Sequence, residues 1–575
     1  VRGLDPESAR AHHRLLAHAL EAWGLADPET LALHFHAAQE PETAADYVTR
    51  AAKQASEALA FDRAARLYLV ALNLSTAGKE AHALRVSLGD ALANAGRGAE
   101  AAEALIAATR GANAAENLDL RRRAAEQLLR SGHVDRGLAA IRDVLTGVGM
   151  RLPGGPKRAL LSILLSRSWL RIRGLGFRER DASQVSAEDL MRIDACRAVS
   201  EGLGIIDTVR GYAFQVRQLL LALNAGEPAR VARALALEMG YSAAGGNRAR
   251  KRTEKLRKET ASLVTRIGTP QALGFATWAA GFALYLEGRW KSAQEVLEKA
   301  EGILRDRCTG VAWELGTARF YSLRSLVFMG RFEELARRLP SYIKDSQLRG
   351  DLYLETNLRT RVSYHVLLAV DRPEKARQEI RDVLARWSHR GYHLQHYFDL
   401  YGQTEIDLYE GNARAAWERI VAGWPAFERS LVRRTQLVYL ESAHLRARAA
   451  VAAVAAGHAP GRLLKLAERD ALRIEHEGMP WSDPLAQLIR ASVAALRSDT
   501  RRAVSLLATA ETGFEAADEG LYAAVARARR GELTGGPDGE RLRAEAAAWM
   551  SKERIANPTR IRMLLSPGRW ESRGF

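Results

Sequence analysis

The chain has 575 residues, 47% of them hydrophobic and 27% charged, with 85 Lys and Arg against 68 Asp and Glu for a formal charge of +17. That composition excludes a disordered chain, and the length exceeds one ordinary compact core, although a repeat array can grow without dividing into globular domains. Two distant cysteines, Cys196 and Cys308, form neither a disulfide framework nor a metal-ligand spacing, so a reducing cytoplasm is the expected setting.

From the N-terminus, apolar residues recur at helical spacing over 8–24, with Leu15, Leu16, Leu20 and Trp23 on one face, and again over 27–39, where Asp27 and Pro28 supply an N-cap and a first-turn proline. Helices follow over 41–55 and 60–74. Around Gly96 the chain reads LGDALANAGRGAEAAEALIAA, which places Gly89, Gly96, Ala101 and Ala108 in one frame, and a further turn falls at Gly132. The pattern loosens after Met150. RLPGGP stops a helix, and the most apolar run, 159–170, is broken by Arg167 and is too short to span a bilayer. No signal peptide opens the sequence, which starts at Val1 as expected of a segment whose N-terminal part lies elsewhere. Helices are expected near 186–204, 207–224 and 228–240, with Ser186 and Asp189 approximating a capping box. Seven of the eleven residues from Arg248 to Lys258 are then Lys or Arg.

The frame of Gly89 returns as Gly281, Gly288, Ala293 and Ala300, and the turn recurs at Gly330, Asp371 and Gly411, at intervals of 42, 41 and 40 residues. It continues at Gly457 and Asp499. Ala376 and Ala416 keep the small residue five positions after the turn, whereas Leu335, Arg462 and Val504 stand there in other repeats. A period near 40 means a solenoid, whose hairpins bury their apolar faces by stacking on neighbours. The expected fold is all-α, a tetratricopeptide-like helical-hairpin superhelix. Its expected divisions are an N-terminal array over 1–150, an irregular helical joint over 151–269 with the basic segment 248–258, a main array over 270–533, and a capping helix and tail over 534–575.

Longer strings narrow the reading. HFHAAQEPETAADYVTRAAKQASEALAFDRAARLY, FRERDASQVSAEDLMRIDACRAVSEGLGIIDTVRGYAFQVRQLLLALNAGEPARVARALALE, CTGVAWELGTARFYSLRSL and RGYHLQHYFDLYGQTEIDLYEGNARAAWERI resemble the C-terminal half of large bacterial multidomain proteins. In those proteins a Ser/Thr protein kinase domain precedes a STAND-type AAA ATPase module and a long helical-repeat arm. The resemblance runs from about Ser8 to Trp570. It implies a scaffold arm that passes an input to the upstream kinase and ATPase modules, and it carries over no catalytic residue, because the family's catalytic motifs lie upstream.

No chemistry emerges from the residues themselves. The nearest match to a phosphate loop, Gly78-Lys79, is followed by Glu80 and lacks the upstream glycine, so it reads as a helix start; HRD and DFG kinase motifs are absent. His389, His393 and His396 have no carboxylate or thiolate to complete a metal set and read as packing histidines. No metal, cofactor or catalytic residue is expected. For partner binding, Asn357, Arg361 and Tyr364 fall at helical spacing on the first helix of a hairpin and could clamp a peptide in a concave groove. Arg248, Arg250, Lys251 and Arg252 could hold an acidic partner, set against an exposed linker or solvated helix start. Nucleic acid is disfavoured, because the basic residues are scattered and no aromatics interleave. The function expected is a non-enzymatic, cytoplasmic protein- or peptide-binding regulatory arm. The alternative is a small-molecule inducer-sensing arm of a STAND-type regulator, which would have an enclosed pocket in place of an open groove.

Overall fold

The computed structural model describes residues 5–75, 79–204, 206–430, 432–458 and 460–570. Gly78 and the closing residues 571–575 lie outside them. The described residues form α-helices joined by tight turns, with short 3₁₀ segments, one π segment and no strand. The chain is an all-α, tetratricopeptide-like solenoid of helical hairpins.

The hairpin turn explains the period. At Gly288 the backbone takes φ 74°, with its N–H on Tyr285 O at 3.1 Å and the Arg289 N–H on Leu284 O at 3.0 Å. This left-handed closure satisfies the last carbonyls of one helix and turns the chain straight into the next. Gly96, Gly330 and Gly411 do the same, and Asp371 does so at φ 56°. Five residues on, Ala101, Ala293, Ala376 and Ala416 are fully buried. Seven residues before two of these turns, a Cβ on Gly281 would lie 2.7 Å from Leu297 Cγ and one on Gly89 would lie 2.8 Å from Leu105 Cγ. The shared frame therefore marks where the two helices of a hairpin touch.

One expected turn moves. The left-handed residue is Ser498, at φ 63°, while Asp499 caps helix Thr500–Ala516 by accepting the Arg502 N–H at 3.1 Å. Counted from Ser498, the fifth residue is the buried Ala503 and not Val504, so the frame is intact. Three further turns have no glycine at all. Gln39, Leu59 and Asp518 adopt φ of 64°, 60° and 60°, and Ala44, Ala64 and Ala523 are buried five residues after each.

Two compact units are present. The first comprises residues 1–152 with 309–313 and 348–351. Its alanine-rich core includes Phe35 stacked on Tyr47 at 5.4 Å. Its opening helix, Pro6–Trp23, is capped by Asp5 and buries Ala17, while Leu15 and Trp23 face solvent.

The second unit comprises 153–308, 314–347 and 352–575. The stretch expected as a loose joint contains regular helices at Pro156–Arg173, Ala187–Leu203, Thr208–Ala225, Pro228–Ala243 and Arg250–Ile267. Ser186 caps the second of these through the Asp189 N–H at 3.1 Å. Farther along, the unit winds back on itself. A Cβ on Gly288 would meet Trp481 Cδ1 at 2.0 Å, and one on Gly330 would meet Leu521 Cβ at 2.8 Å. The Asp371 carboxylate takes Arg560 at 2.8 Å and Asn557 at 3.1 Å. Trp290 stacks on Phe328 at 3.8 Å and donates to Glu519 Oε1 at 3.1 Å. Each turn thus seats against a later segment. The last helix, Pro558–Leu565, packs against Leu394–Tyr409 and Gly520–Thr534, with Leu564 O accepting from Arg448 Nη1 at 3.1 Å.

Two glycine replacements separate backbone strain from packing. Gly288→Ala adds a methyl against Trp481 to an unfavourable left-handed φ and should cost about 2–4 kcal/mol. Gly457→Ala, at φ 97° with no heavy atom within 4 Å of the new Cβ, should cost only about 1 kcal/mol. Denaturant midpoints of the two variants check this, and equal losses would contradict the winding.

Candidate functional site

Asn357, Arg361 and Tyr364 do come together, but in the interior, at 1%, 1% and 0% exposure. Their helix is not a plain α-helix. Leu352–Leu358 passes into a π turn at Arg359–Ser363 before α geometry resumes at Tyr364–Ala369. Such a turn adds a residue to the coil and re-aims the side chains after it. Asn357 Oδ1 accepts from Gln395 Nε2 at 3.1 Å, and the Tyr364 hydroxyl donates to Glu405 Oε2 at 2.8 Å. Arg361 Nη2 donates to Glu441 Oε1 at 2.5 Å, with its guanidinium 4.4 Å from the Tyr401 ring centre. Each of the three is thus held by a side chain from another helix and is not presented to a groove.

Around them lies a buried charge network with members that sequence reasoning missed. Glu441 Oε1 also accepts from Arg324 Nη2 at 3.0 Å, and Arg324 Nη1 donates to the Arg361 carbonyl at 3.1 Å. Glu405 Oε1 accepts from Arg448 Nη2 at 2.6 Å. Arg324 stands alone in the apolar helix run FYSLRSLVF, and a lone charge in such a run is the signal that could have marked it; Arg448, two residues after Arg446 in RARAAVAAVA, has no such signal. Burial, followed by the three arginines, holds the His365 imidazole well below its usual pKa, so it is neutral. The network borders a cavity of about 50 Å³.

The basic segment is neither linker nor uniform stripe. Arg248 lies in a 3₁₀ turn, and helix Arg250–Ile267 seats itself through Thr253, Leu256, Thr260, Leu263 and Val264. Arg250 and Lys251 are exposed, whereas Arg252 pairs with the buried Glu238 and Arg257 with Glu254 at 2.6 Å. Arg248 is exposed, 4.0 Å from Glu477. The histidine trio opens a helix: His396 Nδ1 accepts the His393 N–H at 2.9 Å, and burial, helped by His393 and His389, pushes the His396 imidazole down to about 4. Among the described residues no group of three His, Cys, Asp or Glu side chains is placed to hold a metal ion, and no helix is long and apolar enough to cross a membrane.

Two surfaces stand out. In the first unit a groove of about 450 Å³ is lined by Leu20, Leu31, Tyr47, Arg50 and Lys53, with Glu21 and Glu57 at its margin. In the second unit, helix Pro156–Arg173 is apolar on two faces. Ala159, Ile163 and Leu170 are buried, with Ala159 and Ile163 packed on Val209 and Ala213. On the opposite face, Leu161, Leu164, Leu165, Trp169 and Ile172 are between 57 and 79% exposed. They fall at 0, 3, 4, 8 and 11 along the helix and so form one stripe. The helix contains Lys157, Arg158, Arg167, Arg171 and Arg173 and no acidic residue. Arg173 is held by Asn224 Oδ1 at 2.9 Å and Leu223 O at 2.8 Å, and Arg167 lies over Tyr212, while Lys157, Arg158 and Arg171 are exposed.

No protein-family model matches the chain, and no curated protein does. Solved structures similar to it include the APC/C hetero-tetramer Cut9–Hcn1, 14% identical over 91% of this chain and 94% of that one at a TM-score of 0.38. Another is a circular tandem repeat protein with novel repeat topology and enhanced subunit contact surfaces, 14% identical over 97% of each chain at a TM-score of 0.12.

Two predictions follow from the buried charges. Glu441→Gln strips the shared carboxylate from two buried arginines and should cost about 3–5 kcal/mol, whereas Lys251→Glu on the exposed helix face should stay within about 0.5 kcal/mol of the parent in urea denaturation. Burial raises the Glu519 carboxyl well above its ordinary 4.5, against a smaller lowering by the Trp290 N–H. The folded state therefore keeps a proton that the unfolded state releases, and stability falls as pH rises from 4.5 toward the folded pKa. Glu519→Gln retains an acceptor for Trp290 and should flatten that fall, leaving the variant more stable than the parent at the upper end of the window, as urea midpoints against pH would report.

Proposed function

We propose that the chain is the non-catalytic protein-interaction and regulatory arm of a bacterial Ser/Thr kinase/STAND-type ATPase signalling protein, acting in the cytoplasm. It docks on the kinase and ATPase modules of the same polypeptide through the outer face of helix Pro156–Arg173. The observation that carries this reading is the apolar stripe Leu161, Leu164, Leu165, Trp169 and Ile172. Full burial of such side chains is worth about 1.5–3 kcal/mol each, and soluble proteins rarely leave a contiguous patch of this kind uncovered. Because the reverse face is already packed on Val209 and Ala213, the stripe is not a core that has failed to close. Trp169 supplies an aromatic anchor, and Lys157, Arg158 and Arg171 call for an acidic rim on the partner.

The concave-groove version of the reading transfers to the first unit, where the groove beside Tyr47, Arg50 and Lys53 has room for a partner segment. The inducer-sensing alternative is less well supported. Pockets for drug-sized molecules run to about 300–1,000 Å³; the cavity inside the second unit is far smaller, at about 50 Å³, and the first unit's space of about 450 Å³ is an open groove and not an enclosed pocket.

The test uses the kinase–ATPase part of the same gene, purified separately. It should bind this chain, and the double variant Leu164→Glu/Leu165→Glu should weaken binding at least about a hundredfold while leaving the unfolding midpoint unchanged, as expected when charges enter a buried apolar contact. Equal binding by the variant, or none by the parent, overturns the docking face. A reading frame before Val1 without kinase or ATPase motifs overturns the family context alone.

A further inference from the structure

We propose that the outer face of helix Pro156–Arg173 binds anionic lipid bilayers, lying along the headgroup plane with its apolar stripe inserted. This activity goes beyond the docking role and does not rest on it. The face holds one occupant at a time, and the bilayer takes it when no protein module is docked.

With about 3.6 residues per turn, Leu161, Leu164, Leu165, Trp169 and Ile172 fall within about 140° of arc. Ser168 is the one uncharged polar residue inside that arc. Lys157 and Arg158 lie in the same arc one turn before Leu161, and Arg171 stands at its edge near Ile172. All three cations are exposed, and among the described residues no ion pair holds any of them. The stripe is therefore bracketed by positive charge at both ends.

The helix gains nothing from this arrangement in water. Lys157 and Arg158 occupy its first turn, where the helix dipole disfavours a cation, and the helix has no acidic residue to pair with them. Helices Pro6–Trp23, Pro28–Ala37 and Pro41–Glu57 place Glu7, Glu29 and Glu42 in that position. Against anionic headgroups the same two cations become favourable, and their long stems let the charges stay in the headgroup layer while the leucines go deeper.

The remaining residues of the helix fit the same orientation. Ala159 and Ile163 are packed on Val209 and Ala213, so only the outer half is left to meet a surface. Arg173 is tied back to Asn224 and Leu223, and Arg167 lies over Tyr212, which fixes the helix on its unit with the stripe outward. What faces outward is the convex side of one helix, which a fluid surface accommodates without having to match its shape. Trp169 lies at the edge of the stripe, where an indole N–H meets the wet headgroup layer. Among the described residues no helix is long and apolar enough to cross a bilayer, so the contact is with its surface.

The experiment sediments this chain with vesicles of phosphatidylcholine containing about a third phosphatidylglycerol, and with pure phosphatidylcholine. The parent and the control Lys251→Glu should bind the anionic vesicles, at least about tenfold more strongly than the neutral ones. Leu164→Ser/Leu165→Ser keeps every charge and should lower the partition coefficient at least about tenfold, because apolar carbon no longer inserts. Arg158→Gln/Arg171→Gln should lower it about as much on anionic vesicles and leave the weak binding to neutral ones unchanged. The replaced side chains are exposed, so each variant should keep the parent's unfolding midpoint. No binding by the parent overturns the proposal. So does equal binding by the leucine variant, which would mean adsorption of the chain's net positive charge without insertion. A dimer formed without vesicles and dissolved by the leucine changes would assign the face to a second copy, and also overturns it. Lipid brominated along its acyl chains gives an independent readout: it should quench a larger share of tryptophan emission in the parent than in Trp169→Phe, and equal shares overturn the insertion. The kinase–ATPase part is absent throughout, so failure here leaves the docking assay as it stands.

Discussion

The constraint on which the rest depends is the pairing of a left-handed turn residue with a small buried residue five positions later. The turn ends one helix and starts the next with no loop between them, and the small residue lets the two helices cross closely. Gly288 with Ala293, Asp371 with Ala376 and Ser498 with Ala503 are the same device built from different residues. Non-glycine residues at that φ carry a penalty of about 1–2 kcal/mol, so their use at Gln39, Leu59, Asp371, Ser498 and Asp518 shows how firmly the flanking helices impose the turn.

Repetition of that device has a second consequence in the second unit. The turns at Gly288, Gly330 and Asp371 come to rest against Trp481, Leu521 and Arg560. The faces turned inward by this winding carry Arg324, Arg361, Glu405, Glu441 and Arg448, which must satisfy one another because water is excluded. On the outside, among the described residues, the Leu161–Ile172 stripe is apolar surface left exposed.

Most of the frame was legible in the sequence because glycine and alanine announce it. Gly89, Gly96, Ala101 and Ala108 repeat as Gly281, Gly288, Ala293 and Ala300, and the expected helices near 186–204, 207–224 and 228–240 stand at Ala187–Leu203, Thr208–Ala225 and Pro228–Ala243. The turns at Gln39, Leu59 and Ser498 were not legible, since nothing local makes those residue types left-handed; tertiary packing does. Asn357, Arg361 and Tyr364 were read as a clamp lining an open concave groove because polar residues at helical spacing ordinarily face water. Two things hidden from local pattern reversed it: the π turn and a carboxylate on helix Gln436–Ala455. The stripe on Pro156–Arg173 was visible as an apolar run, but only packing reveals that the helix buries one apolar face and exposes another.

The central claim, that this arm meets its partner modules through that helix, is tested most directly by hydrogen exchange over residues 156–173, compared between this chain alone and the longer polypeptide containing the kinase and ATPase. Docking of the stripe predicts exchange slower by at least about tenfold in the longer polypeptide, with the basic helix at 250–267 unchanged. Identical exchange over 156–173 in the two would contradict it.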